Sequence, residues 1–279
     1  MRFWGMFRFT VEEALRRGTL LFYFGVGTII LLVFAFGIGR LPSDPDMVTL
    51  FGSPLAHSTS PNFNVVDFIL VMLHKQSVSS ILLFGIFGIA GLIPGMLEKG
   101  TIDLFLSKPL ARAELLMARA LGAVSGIGLN LAYFFFGIWL IFGLKLGVWH
   151  WGFLSSVLYV IYAFICFFSV VTIVGLITRS AGFSIMLAFV FSIISWGLEL
   201  REKGLYILWD NEIYHRLLDT LYYLTPQLNS MLENSTRVVG NLPYIPNPAE
   251  FSIMPFVYSF FSTCFLYFLS AWYFSRQDY

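Results

Sequence analysis

Few residues in this 279-residue chain have types and spacings that suggest chemistry. In His215-Arg-Leu-Leu-Asp219 an imidazole and a carboxylate stand four apart. On a helix they would share a face, and the carboxylate would orient the ring as a general base of the kind a membrane acyltransferase uses. No second motif for a phosphorylated substrate accompanies the pair, and an ordinary polar pair on a surface helix is the simpler account. Gly95-Met-Leu-Glu-Lys-Gly100-Thr-Ile has the glycine spacing of a phosphate loop but no Lys-Ser/Thr after its second glycine. Nothing in it would reach the β- and γ-phosphates, so no nucleotide site is expected in this chain. His57, His74, His150 and His215 share no ligand spacing, and Cys166 and Cys264 lie inside apolar runs as small packing residues. Neither a metal site nor a disulfide is expected. The sequon Asn234-Ser-Thr236 is short enough to arise by chance.

The elements that must hold any site are membrane helices. With 58 % hydrophobic residues, 18 % aromatic, 12 % charged and a mean hydropathy of +0.79, the chain is far too apolar for a soluble domain. A net charge of +1 and the absence of a basic run argue against nucleic acid as a partner. The expected fold class is all-α: one polytopic transmembrane domain over residues 1–279, with spans at about 20–38, 76–97, 113–144, 152–177, 181–198 and 255–274. Residues 2–18 read as an amphipathic interfacial helix rather than a cleaved signal peptide, with Trp4, Phe7, Val11, Ala14 and Leu15 on its apolar side. Residues 40–64 read as an aperiodic loop, and 65–73 as a partly apolar piece held near the interface by Asp67, His74 and Lys75. In the large loop 199–254, residues 210–224 read as a helix, and a second one is expected from Thr225 with Pro226 in its first turn.

Six spans place both termini on one side. Ten Lys and Arg on that side against seven on the other make it the cytoplasmic one. Gly85, Gly88, Gly91 and Gly95 form a small-residue stripe, and Gly122 and Gly126 a GxxxG pair, faces for packing within the subunit or between subunits. Buried charge is nearly missing from the span interiors. A proton pump would need it, so the pattern points to lipid-like or amphiphilic cargo, or to force transmission.

The longest charged run between two spans is the elbow from Pro94 to Arg119. Gly100 would end the descending helix, Thr101 cap a new one, Asp103 favour its positive start, and Ser107-Lys-Pro109 stop it. Ile102, Phe105 and Leu106 would share an apolar face suited to a groove on a soluble partner.

Glu98-Lys-Gly-Thr101, the leucine-rich turn to Ser107, Pro109-Leu-x-Arg112 and Leu-Leu-x-Ala-Arg119 closely resemble the cytoplasmic segment of type-2 ABC exporter permeases. Ala111 departs from the Ser or Thr such permeases often carry there. The resemblance implies that residues 98–112 include a coupling helix docking on two separate ATPase subunits, which would hold the ATP and Mg, and that a second permease copy or homologue completes the transporter. Glu98, Gly100, Thr101, Ile102, Asp103, Phe105, Leu106, Ser107, Pro109 and Arg112 would carry the coupling. Permeases linked to multicopper-enzyme maturation are the nearest likeness, and a bacterial or archaeal inner membrane the expected location. A lipid-modifying enzyme using His215 and Asp219, or a membrane scaffold without transport, are the alternative readings.

Overall fold

The computed structural model describes residues 2–16, 18–41, 44–57, 65–106, 110–209, 211–240 and 250–277. Helix α1 (Arg2–Arg16) leads into α2 (Gly18–Gly37), then strands β1 (Ile38–Leu41), β2 (Asp44–Leu50) and β3 (Ser53–His57). There follow α3 (Val65–Ile89), α4 (Leu92–Met96), α5 (Thr101–Leu106), α6 (Arg112–Leu146), α7 (Trp151–Thr178) and α8 (Ala181–Glu199). A π-helical turn (Arg201–Leu205) runs into α9 (Tyr206–Leu208), followed by α10 (Glu212–Leu224), α11 (Leu228–Val239) and α12 (Met254–Arg276). Among the described residues six helical segments, α2, α3 with α4, α6, α7, α8 and α12, are long and apolar enough to cross a membrane. The fold is an all-α multi-pass membrane bundle.

Burial separates the centre from the periphery. In its most apolar stretch α7 is 61 % buried, whereas α2 is 17 % and α8 is 22 % buried. Helices this apolar on their open sides are stable only against lipid or another apolar surface. At the centre, Phe135 stacks on Phe153 with ring centroids 5.1 Å apart. Tyr162 donates its hydroxyl to the Phe256 carbonyl at 2.9 Å, which joins α7 to α12. The α7–α8 turn is tight: Arg179 takes a left-handed φ of 51°, and the Ser180 hydroxyl accepts the Phe183 N–H.

The bundle has two distinct ends. Arg112, the first residue of α6, donates to the carbonyls of Ser275 and Gln277 beyond the last turns of α12. Helices α1, α4 and α5 gather at this elbow end. At the opposite end lie the strands, α10 and α11.

The structure corrects three local readings. Strands β1, β2 and β3 form a three-stranded antiparallel sheet where an aperiodic loop was expected, with Gly39 opposite Thr49 and Leu50 opposite Ser53. Its β2–β3 hairpin turns on Phe51 and Gly52, both with positive φ, the two-residue geometry that matches strand twist. Pro, Asp and Ser in the strands hid the alternation. Arg40 anchors the sheet by donating to the Leu146 carbonyl at the end of α6 (2.9 Å). Second, α3 is one continuous helix from Val65, because α11 folds onto it and gives His74, fully buried, a partner in the Thr236 hydroxyl at 3.2 Å. Third, α11 begins at Leu228, so Pro226 precedes the helix and Thr225 closes α10. Asn234 is buried there with its carboxamide bonded to the Ser230 carbonyl and the Ser252 N–H, which leaves the sequon inaccessible to a glycan.

The hairpin turn makes a direct expectation. Gly52→Val places a β-branched residue at φ 79° and should cost about 1–2 kcal/mol, lowering the thermal midpoint of the purified protein in detergent. Gly52→Asn, which tolerates that region, should leave the midpoint nearly unchanged.

Candidate functional site at the elbow

The elbow is built by interruptions of helix. After α3 the chain turns at Gly91, the residue before α4, and Pro94 in α4 packs where Gly175 of α7 leaves room, a Cβ there lying 3.3 Å from the proline ring. The Pro94 carbonyl accepts the Leu97 N–H and closes that turn (2.9 Å). Gly100, with φ 85°, reverses the chain, and the Glu98 carbonyl accepts both the Thr101 and Ile102 N–H groups at 3.1 Å. Helix α5 therefore starts at Thr101 itself, with Gly100 in the position before it where Thr101 was expected to cap.

One face of α5 runs opposite to the expectation. Ile102 and Phe105 are only 4 % and 7 % exposed, turned onto the protein's own bundle rather than outward to a partner. Phe9 of α1 meets the Phe105 ring edge-on at 6.1 Å, and the Arg119 guanidinium lies 5.2 Å from that ring's centroid. Glu98, Lys99, Gly100 and Asp103 are the exposed residues. The Leu106 side chain and all of Ser107 and Pro109 lie outside the described residues. Helical periodicity identified the residues that share a face; it carried no information on which side that face turns to.

Arg119 is the centre of this arrangement. Its side chain is 2 % exposed, yet besides the Phe105 ring of α5 it reaches two further helices. It pairs with Glu13 of α1, donates to the Leu92 carbonyl at the start of α4 (2.9 Å) and approaches the Thr10 hydroxyl (3.5 Å). Breaking a buried pair by removing one partner costs about 3–5 kcal/mol, whereas an exposed pair such as Arg8–Glu12 contributes ~0.5 kcal/mol at most. The buried pair therefore fixes α1; the exposed one does not. Glu114 supports the start of α6, its carboxylate accepting the Ala111 N–H at 3.3 Å and supplying one half of a capping box without the usual hydroxyl.

Sequence comparison now joins this geometry. The family profile described as ABC-2 family transporter protein matches residues 28–279. The chain belongs to the ABC-2 transporter family. It is a permease subunit of an ABC transporter, a membrane transport chain whose ATPase is a partner. Compared with individual curated proteins, it has no match.

Within this ABC-2 permease four of the singled-out glycines, Gly85, Gly88, Gly122 and Gly126, serve contacts inside one chain. A Cβ on Gly122 would sit 2.6 Å from Thr10 Cβ and 3.0 Å from the Phe7 carbonyl, and one on Gly126 would sit 3.0 Å from Ala14 Cβ. The GxxxG pair is thus the bed on which α1 lies, with Met6, Thr10 and Ala14 buried and Trp4, 67 % exposed, left at the rim. Gly85 admits Phe164 of α7, and Gly88 admits Leu20 and Tyr23 of α2. Gly95 faces open space.

The proposed catalytic pair of the permease is otherwise engaged. Asp219 Oδ1 accepts from Arg201 Nε and from the Tyr206 hydroxyl, both at 2.7 Å. His215 stacks on Tyr206 at 4.1 Å with its Nε2 3.2 Å from the Trp209 carbonyl. The carboxylate that would orient an imidazole instead pins the π-helical turn, and Arg201 also lies 3.8 Å above the Tyr222 ring. Sequence reasoning missed Arg201, Thr10 and Glu13 in these roles. A signal existed for Arg119 alone: it is three and seven residues before Gly122 and Gly126, on the same helix face.

Hydrogen bonds from Tyr206 and then Arg201 hold the Asp219 carboxyl below the usual carboxylate range. For Arg201, burial works against the charge, but the bond to Asp219, the nearby Tyr222 and Asp219 charges and the Tyr206 hydroxyl together outweigh it, so the guanidinium keeps its proton more tightly than usual. A depressed carboxyl pKa stabilises above its unfolded value of ~3.9 and loses that contribution as pH falls through the folded value. Hydrogen exchange in α10 should accordingly rise below about pH 4 in the wild type, while Asp219→Asn should show raised exchange already at neutral pH and little further acid response.

For the elbow, Glu13→Gln strands the Arg119 guanidinium, 2 % exposed, without its counter-charge and should cost about 3–5 kcal/mol, releasing α1 to proteolysis at Arg8 and Arg16. Arg119→Met should cost less, because the Glu13 carboxylate it leaves behind is 29 % exposed and stays in contact with water. Equal effects of the two changes would refute this ordering.

Proposed function

We propose that this permease subunit is driven by two ATPase subunits through α5, that a second permease copy or homologue completes the assembly, and that it exports a lipid-like or amphiphilic substrate. Its elbow end would face the cytoplasm with both termini, in a bacterial or archaeal inner membrane, as the excess of Lys and Arg there suggests. A likeness to permeases linked to multicopper-enzyme maturation belongs to the proposal as one of fold alone.

The observation that carries the reading is the two-sided character of α5. Its charged tip, Glu98, Lys99 and Asp103, is open to a soluble partner, while Ile102 and Phe105 are held by α1 and Arg119. A tip attached only by flexible loops would move without moving the spans. Here a push on the tip passes through Phe105 and Arg119 to α1, to the start of α4 and to α6. ATP binding would draw the two ATPases together and rock these elements so that a path between permease subunits opens outward. The partner chains hold the ATP and Mg; this subunit contributes the lever.

The two sides of α5 separate experimentally. Reversing the charge of Lys99 and Asp103 together should abolish co-purification of the ATPase while leaving the stability within about 0.5 kcal/mol of wild type, as for other surface changes. Phe105→Ala should retain co-purification and lose substrate-stimulated ATP hydrolysis. Unchanged ATPase association in the double reversal would overturn the assignment of the tip.

A further inference from the structure

A cavity of about 290 Å³ opens between α2, α3 and α6, at the middle of all three helices. Its walls include Tyr23, Phe84 and Phe134, but also Gln76, Ser77, Ser80 and Asn130, an unusual set of neutral polar groups for membrane depth. Along α3, Gln76 Nε2 lies 3.5 Å from the Ser80 hydroxyl. Tyr23 spends its donor on the Phe84 carbonyl at 2.6 Å. The Asn130 Nδ2 differs. It is buried and, among the described residues, has no acceptor. A donor shielded from water without an acceptor is costly in hydrocarbon surroundings, and a turn of the carboxamide into the cavity would let a bound oxygen satisfy it.

What brings it is constrained by the walls. The described residues lining the cavity include no Lys, Arg or His to neutralise a phosphate or carboxylate, and no acid to pair an amine. The cavity is open on the side of the lipid-exposed residues Val26, Ile30 and Phe84. Above it, sharing Gln76, a second pocket of about 540 Å³, otherwise apolar, follows α3 past Leu73, Met72 and Phe68 to Leu50 of the sheet. A molecule suited to both chambers has a neutral head bearing hydroxyl or carbonyl oxygens and a long apolar tail.

We propose that the cleft between α2 and α3 binds an amphiphile with an uncharged, oxygen-bearing head group, Asn130 and Gln76 donating to that head and the apolar chamber holding part of its tail. The inference deepens the transport reading by giving the cargo a head-group chemistry and a place of entry, and it rests on that reading only for the word cargo. Neither chamber needs nucleotide to exist.

The test uses the full chain assembled with its ATPase in nanodiscs of native lipid, exposed to a diacylglycerol carrying a diazirine in one acyl chain. A phosphatidic acid with identical tails serves as the charged comparison. After irradiation, mass spectrometry maps the adducts. The diacylglycerol should label peptides of α2, α3 and α6 around Tyr23, Gln76 and Asn130 above the level found on α8 and α12. Asn130→Leu or Gln76→Leu should each lower that labelling about tenfold at limiting probe, the effect of losing one well-placed hydrogen bond. Should Asn130→Leu fail to elute as an intact complex, Asn130→Ser and Ser80→Ala take its place, and each should reduce labelling too. Equal labelling by phosphatidic acid, an even spread over all lipid-facing helices, indifference to these substitutions, or disulfide cross-linking of Gln76→Cys between two permease copies would overturn the proposal. Specific labelling unaffected by ATP, with no nucleotide-driven movement of the probe, would leave the cleft standing and count against transport of this class. ATP-driven movement of the diacylglycerol without specific labelling would do the reverse.

Discussion

A single buried cation holds the elbow end of this permease together. Arg119 lies inside the bundle, and the elements that satisfy it come from far apart in sequence: Glu13 and Thr10 on α1, the Leu92 carbonyl at the start of α4, and the Phe105 ring on α5. Water cannot substitute for them at 2 % exposure. Desolvating the guanidinium is expensive unless each partner is in place, so the positions of the three elements are linked through one side chain. The glycines at 122 and 126 are the geometric counterpart of this requirement. They let α1 approach close enough for Glu13 to reach Arg119.

Much of the fold was legible because membrane spans are written in composition. Runs of about twenty apolar residues admit few alternatives in a chain so poor in charge. The sheet was not legible, because its strands contain Pro45, Asp46, Ser53 and Pro54, and pairing rather than alternation defines them. The elbow was visible as a place, marked by its charges and by Gly100, whose positive φ follows from the reversal there. Its orientation was not. An apolar stripe on a short helix identifies a surface that avoids water, and Ile102 and Phe105 meet that need within their own chain. Asp219 teaches the same lesson: its spacing from His215 was correct for a shared face, but Arg201, eighteen residues away, claimed the carboxylate.

The two ends of the molecule are stabilised by different means. At the sheet end, ion pairs and hydrogen bonds among Arg201, Asp219, Tyr206 and Glu199 hold short helices across the mouth of the bundle, Glu199 receiving the Asn229 and Ser230 side chains. At the elbow end the contacts of Arg119 do most, since that side chain is buried. Between them, α2 and α8 present mostly apolar side chains to their surroundings.

The stretch matched by the family profile starts at residue 28, partway along α2, whereas Glu13 stands upstream of it. A recombinant fragment trimmed to the recognised boundaries would keep all the remaining spans and still strand an ionised side chain in a dry interior with its counter-charge deleted. For this transporter, the leading amphipathic segment is structural ballast that no shortened version can discard.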